Sequence, residues 1–183
     1  GLRVISPSNS NDAYWMIQQA IESNDPVIFF EPKRRYWQKG MVNLDSPPSS
    51  MHDAKVLREG TQVTLVSYGP MIPTALQAAE IAASEGISIE VVDLRSMSPI
   101  DFSTIINSVK KTGRLVVASE ASTSFSVSAE IAAKVAELAF YHLEAPVIRV
   151  GSFDVPYPPA KLEELFLPDA DRILEAVDRS LSY

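Results

Sequence analysis

Three groups of side chains hold the chemistry this sequence offers. The first is "EPKRRYWQKG", residues 31–40, which puts Lys33, Arg34, Arg35 and Lys39 within seven positions directly after the uncharged run "PVIFF". A guanidinium is a planar fork of donors that matches a carboxylate. Arg34 and Arg35 are therefore suited to hold acids, on a neighbouring chain or on the acidic later part of this one, or else they form a solvated charge run. Tyr36 and Trp37 beside them add aromatic surface, which together with Arg is enriched at protein contacts. The second group is Asp93 and Glu120, each at the end of an apolar run. Strand ends are where α/β proteins set ligand-binding groups, and equally where a carboxylate caps a loop or helix. The third is two histidines. His52 lies in a Pro- and Ser-rich stretch and reads as solvated. His142, in "AFYHLEAP", is a proton carrier or a partly buried helix-end residue. The paired Glu163 and Glu164 read as a solvated helix face.

No larger catalytic pattern accompanies them. The sequence has no HExxH, GxSxG, Walker loop or GxGxxG, and its seven glycines do not cluster. With no Cys there are no disulfides, thiolate metal sites or thiol nucleophiles, which fits a reducing, cytoplasmic setting. A net charge of -7 argues against nucleic acid as the main partner, and no apolar run is long enough to span a membrane. At 183 residues, 46% hydrophobic and 21% charged, the chain can bury a sizeable core. The charge is uneven: residues 1–60 hold seven basic and seven acidic side chains, residues 61–183 nine basic and sixteen acidic. The opening "GLRVIS" begins almost inside a strand and reads as part of a longer chain.

The elements that must position these residues alternate in type. Before a Pro- and Ser-rich stretch at 43–55, the pattern predicts a strand at 2–5, a helix over 11–23 and a strand at 27–30. Ser10 or Asn11 would cap the helix, and Tyr14, Ile17 and Ile21 form an apolar stripe. "VIFF" reads as a core strand. Pro47 and Pro48 cannot donate to a sheet ladder, so a boundary falls there, separating residues 1–48 from 49–183. Beyond it, strands are expected at 63–69, 87–94, 114–120 and 146–151, and helices at 74–86, within 98–113, at 128–143 and near the C-terminus. Gly86 and Gly113 would end two of these helices. Strands alternating with helices imply βαβ units and a mostly parallel sheet covered on both faces. The residues alone leave two readings: a piece of a larger enzyme, or a free-standing flavodoxin-like ligand-binding or regulatory domain.

A resemblance favours the first. "GLRVISPSNSNDAYWMIQQAI", "NDPVIFFEPKRRY", "REGTQVTLVSYG", "IEVVDLRSMSPID", "VKKTGRLVVASEA", "LEAPVIRV" and "FDVPYPPAKLEELFLPDADRI" resemble, in family order, the C-terminal part of the β subunit of thiamine-diphosphate-dependent 2-oxo-acid dehydrogenases, pyruvate or branched-chain. "FFEPKRRY" leans towards the branched-chain type. The resemblance implies that residues 1–48 are the end of a pyrimidine-binding α/β domain plus linker, and that 49–183 form a transketolase C-terminal-type domain. It implies oxidative decarboxylation of a 2-oxo acid with acyl transfer to a lipoyl group, in an α₂β₂ tetramer whose α subunit holds most of the thiamine diphosphate and Mg²⁺. The family's catalytic histidine and activating glutamate would lie upstream of Gly1, so this piece would be inactive alone and carry no catalytic residue.

Three further sets follow from the resemblance. A structural K⁺ would be held by Ala20, Ile21 and Ser23 through backbone carbonyls and by Asp25. Arg34, Arg35, Tyr36 and Trp37 would lie at a subunit interface. Asp169, Asp171 and Tyr183 would receive the lipoyl acyltransferase core, whose binding domain is basic. The chain also departs from the family: "SEASTSFSVSAEI" has Ser119 where a His is usual, and Ser124, Phe125 and Ser128 where glycines are usual.

Overall fold

Val63–Ser67 is a run of mostly β-branched residues buried at every position, and it forms the central strand of a covered five-stranded sheet. The computed structural model describes residues 1–183. The chain folds as β1 (Arg3–Ile5), α1 (Ser10–Glu22), β2 (Val27–Phe29), β3 (Lys55–Arg58), β4 (Val63–Ser67), α2 (Ile72–Ser84), β5 (Ile89–Asp93), β6 (Ser96–Ser98), α3 (Phe102–Thr112), β7 (Leu115–Ser122), α4 (Val127–Leu138), β8 (Ile148–Ser152), α5 (Glu163–Phe166) and α6 (Ala170–Leu181).

Five strands make the larger sheet in the order β3-β5-β4-β7-β8. All are parallel except the edge strand β3, which pairs antiparallel with β5. The alternating side chains of the central strands feed two cores. Leu65, Val91 and Val116 pack with Ala75, Ala79, Ile173 and Val177 of α2 and α6. Val66, Val92 and Val117 pack with Ile105, Val109, Ile131 and Val135 of α3 and α4. The alanine-rich α2 brings its backbone close to the sheet, and each buried Val, Leu or Ile stabilises the fold by roughly 1.5–3 kcal/mol. α3 begins with Asp101 accepting the Thr104 N–H and ends at Gly113 with φ +71, the left-handed turn that glycine takes without strain.

The smaller sheet has the order β2-β1-β6. β1 and β2 are parallel, whereas β6 comes from the later part of the chain and adds antiparallel to β1. Met16 of α1, Ile5 and Met51 form its core. Several local expectations change here. The cap of α1 is Asn9, not Ser10 or Asn11: the Asn9 side chain accepts the Asp12 N–H at 2.9 Å, and Ser10 is already helical. Within these residues "VIFF" lies at the edge of the smaller sheet, with Ile28 and Phe30 well exposed. β3, which starts at the last residue of the Pro- and Ser-rich stretch, and β6 are strands that the sequence pattern did not indicate. The helix expected over 128–143 ends at Leu138, and a 3-10 turn, Phe140–His142, follows.

Candidate functional site

Asp93, which ends β5, and Glu120, two residues before the end of β7, mark two junctions where the smaller sheet and its loop meet the larger sheet. At the first, Asp93 closes β5 and is fully buried. Its Oδ2 accepts the Ser8 hydroxyl at 2.6 Å and its Oδ1 the Arg95 backbone N–H at 3.0 Å. The second bond needs the chain to fold back on itself, and Arg95 does so with φ +57. Burial pushes the Asp93 carboxyl up to about 7, against the pull of these hydrogen bonds, and the Asp12 carboxylate adds a smaller push in the same direction.

Arg95 is itself wholly buried. Its Nη1 donates to Ser49 Oγ at 2.8 Å, the Ser50 carbonyl at 2.8 Å and the Asp53 carbonyl at 2.9 Å, which holds the stretch before β3 in place. Its Nη2 lies 3.1 Å from Asp12 Oδ1, a charge pair whose N–H is not aligned on the oxygen. Asp12 also takes Lys55 Nζ at 3.2 Å and the Asn9 side-chain amide at 2.8 Å. Arg95, Asp12 and Lys55 carried no signal in the sequence. Their pairing depends on the helix, strand end and linker converging.

At the second junction the basic run meets Glu120 in the C-terminal half of β7. The Arg34 guanidinium pairs with the Glu120 carboxylate, and Arg35 donates to the Pro70 carbonyl at 2.7 Å from Nη2 and 3.2 Å from Nε. Within this chain, Arg34 therefore reaches an acid of the later part and Arg35 a backbone carbonyl there. Burial raises the Glu120 carboxyl above its ordinary value, with Arg34 pulling the other way. Tyr36 donates its hydroxyl to Glu31, while Trp37 is 91% exposed.

The remaining expected residues fall in different places. No helix-capping or loop hydrogen bond ends on the carbonyls of Ala20, Ile21, Ser23 or Asp25. They are free in the way the last turn of a helix leaves them. The Asp25 carboxylate, however, is engaged through Oδ2 by Arg3 at 2.7 and 2.5 Å. Asp169 is exposed and caps α6 by accepting the Arg172 N–H at 2.9 Å. With Asp171, Glu163 and Glu164 it shares a cleft of about 510 Å³ with Arg34 and Arg35, so two groups that looked unrelated in the sequence face each other. Tyr183 is also exposed but lies beyond the far end of α6, which is about 18 Å long.

His52 is not simply solvated. It is partly buried, with Nε2 3.0 Å from Arg3 Nη1 and Nδ1 3.4 Å from Ser96 Oγ, and burial followed by the Arg3 charge lowers its pKa. His142 is exposed. Glu163 accepts a hydrogen bond from the Tyr157 hydroxyl. Ser119 is buried with no hydrogen-bond partner for its hydroxyl, and Phe125, where glycine was expected, takes φ +54 with its ring fully in solvent. No group of three His, Cys, Asp or Glu side chains is arranged to hold a metal.

The sequence profile described as "Transketolase, C-terminal domain" matches residues 52–173, most of the larger sheet and its helices. The chain belongs to the transketolase C-terminal domain family. Among curated relatives, this transketolase C-terminal domain and the residues before it are 62% identical over 183 residues to the pyruvate dehydrogenase E1 component subunit beta of Leifsonia xyli, covering 100% of this chain and 54% of that protein. Identity to the 3-methyl-2-oxobutanoate dehydrogenase subunit beta of Mycobacterium tuberculosis is 49% over 182 residues, covering 99% and 52%. Among solved structures, a split gene transketolase described as an inactive beta4 tetramer superposes with TM-score 0.80 at 30% identity, covering 99% of this chain and 57% of that one. The chain spans about half the length of the curated relatives it matches.

Proposed function

We propose that this transketolase C-terminal domain, with the strands and helix before it, serves as the assembly half of a 2-oxo-acid dehydrogenase β subunit. The observation that carries this reading is the 62% identity to a pyruvate dehydrogenase β subunit along every residue of the chain. Residues 1–48 then belong to a pyrimidine-binding domain and its linker, and 49–183 to the C-terminal domain. The buried Arg95–Asp12 pair and the Arg34–Glu120 pair fix one to the other.

When bound in such an enzyme, thiamine diphosphate with Mg²⁺ supplies the nucleophile and electron sink for decarboxylation. This chain's side chains offer no metal cluster for the Mg²⁺. The cofactor is then held mainly by a partner α subunit and by residues outside this chain. The residues here orient and support. A structural K⁺ fits the free carbonyls of Ala20, Ile21 and Ser23 better than the Asp25 carboxylate, which Arg3 already occupies. Trp37 and Tyr36 fit a subunit contact, and the acidic Asp169–Asp171 surface fits a basic acyltransferase domain. No helix is long and apolar enough to cross a membrane, and cytoplasmic placement follows from the proposed complex.

The test is to express the subunit encoded by the complete reading frame with its α subunit and to assay decarboxylation of pyruvate and 3-methyl-2-oxobutanoate. Activity that requires both subunits and acts on at least one of the two acids is expected. A subunit that neither captures the α subunit nor turns over either acid overturns the reading.

A further inference from the structure

The strand order β5-β4-β7 contains a reversal. From β4 the chain builds β5 on one side and then crosses to build β7 on the other. Connections leaving the carboxyl ends of β4 and β7 therefore diverge, and the crevice between them is where open α/β sheets take ligands. Here that crevice lies beside Tyr68 and Pro70, just after β4, and Glu120 of β7. The smaller sheet covers it without filling it. A cavity of about 410 Å³ remains, within the range of small-molecule sites.

Its lining has a definite chemistry. Phe30, Tyr68, Met97 and Val127 give it apolar and aromatic walls, while Glu31 and Glu120 are its only charged residues. Aromatic faces and carboxylates in a partly desolvated space both favour a cation. Arg34 is not part of the lining, yet its guanidinium pairs with Glu120, so the cavity's carboxylate already accepts one cation within the chain. Ser6, a buried lining residue, donates its hydroxyl to the Phe30 carbonyl at 3.2 Å and holds that wall in place.

We propose that this cavity binds a small organic cation with an apolar body, its ammonium or guanidinium head on Glu120 and its body against Phe30, Tyr68 and Met97. Arg34 then acts as an internal competitor for the same carboxylate. The site requires nothing of thiamine chemistry and stands apart from the dehydrogenase reading.

Titration calorimetry of the intact subunit, expressed from the complete reading frame, with three probes tests it: 2-phenylethylammonium, neutral 2-phenylethanol and anionic phenylacetate. The ammonium should bind about tenfold or more tightly than the alcohol, the worth of one charge-assisted contact, and phenylacetate should not bind. Glu120→Gln should weaken the ammonium about tenfold. Arg34→Ala should tighten it several-fold by freeing Glu120, a gain that damage to the fold cannot produce. Should Glu120→Gln disturb folding, Arg34→Ala carries the test. Equal binding of ammonium and alcohol, or no gain in Arg34→Ala, overturns the proposal and leaves only an apolar crevice.

Discussion

Asp12 Oδ1 lies 3.1 Å from Arg95 Nη2, and both side chains are wholly buried. The pair joins α1 to the loop after β5, with Lys55 completing it at the sheet edge. Taking a charge out of water is costly, so removing one partner strands the other. Asp12→Ala is expected to lower stability by about 3–5 kcal/mol. The double variant Asp12→Ala with Arg95→Met should lose less than the sum of the two single changes. Urea unfolding of the three variants decides it, and additive losses would mean the two residues act independently.

Asp93 makes stability depend on pH in a set direction. Its carboxyl is raised to about 7 in the fold, against an ordinary value of 3.8. Between these values the folded chain holds a proton that the unfolded chain has lost. Its contribution is therefore full below about pH 4 and is lost as pH rises through about 7. Asp93→Asn should flatten the pH 4–7.5 stability profile, by an amount on the order of 1–4 kcal/mol. A variant whose urea midpoint follows the parent's pH slope would show that Asp93 does not cause it.

The two arginines of the basic run differ in what salt does to them. Arg34 and Glu120 are each about one third exposed (35% and 30%), so Arg34→Ala should cost only about 0.5–1 kcal/mol, shrinking in 1 M NaCl. Arg35 donates to a neutral carbonyl, so the similar loss on Arg35→Ala should change little with salt. Thermal melts at low and high salt separate them. Equal salt sensitivity would contradict the assignment.

The parallel sheet was legible because "VTLVS" and "LVVA" are buried on both faces and carry no alternation to mislead. β3 and β6 were not. "SMS" has no strand propensity and pairs with β1 only because the chain reverses at Arg95. Arg95 itself was invisible: arginine is almost never fully buried, and nothing in "DLRSMS" says that Asp12 will meet it. Arg34 and Arg35 were legible as acid-holding groups, but the sequence could not tell a neighbouring chain from the acidic half of this one. The cavity, too, exists only where two separated segments face each other.

For the proposed K⁺ site, the intact subunit should melt higher in KCl than in NaCl at equal ionic strength. Arg3→Ala should enlarge the difference by releasing the Asp25 carboxylate to join the carbonyls as a further oxygen ligand. Equal melting temperatures in the two salts would remove the site.

For the acidic C-terminal surface, Asp169→Asn with Asp171→Asn should weaken capture of the lipoyl acyltransferase by the assembled tetramer at low salt, severalfold in association rate. Asparagine keeps the α6 cap that Asp169 provides, so the helix should persist. Surface plasmon resonance with unchanged association rates would assign the surface to solvent alone.

The contribution of β6 to the sheet of β1 and β2 has a consequence for how the molecule comes apart. Residues 44–48 are exposed, and a protease cut there would separate the first segment from the rest only on paper. β1 would still be hydrogen-bonded to β6, and Asp12 would still face Arg95 across the break. The nicked protein should run as two bands on a denaturing gel and as one species on a sizing column, and the two pieces expressed from separate reading frames should find each other and rebuild the whole.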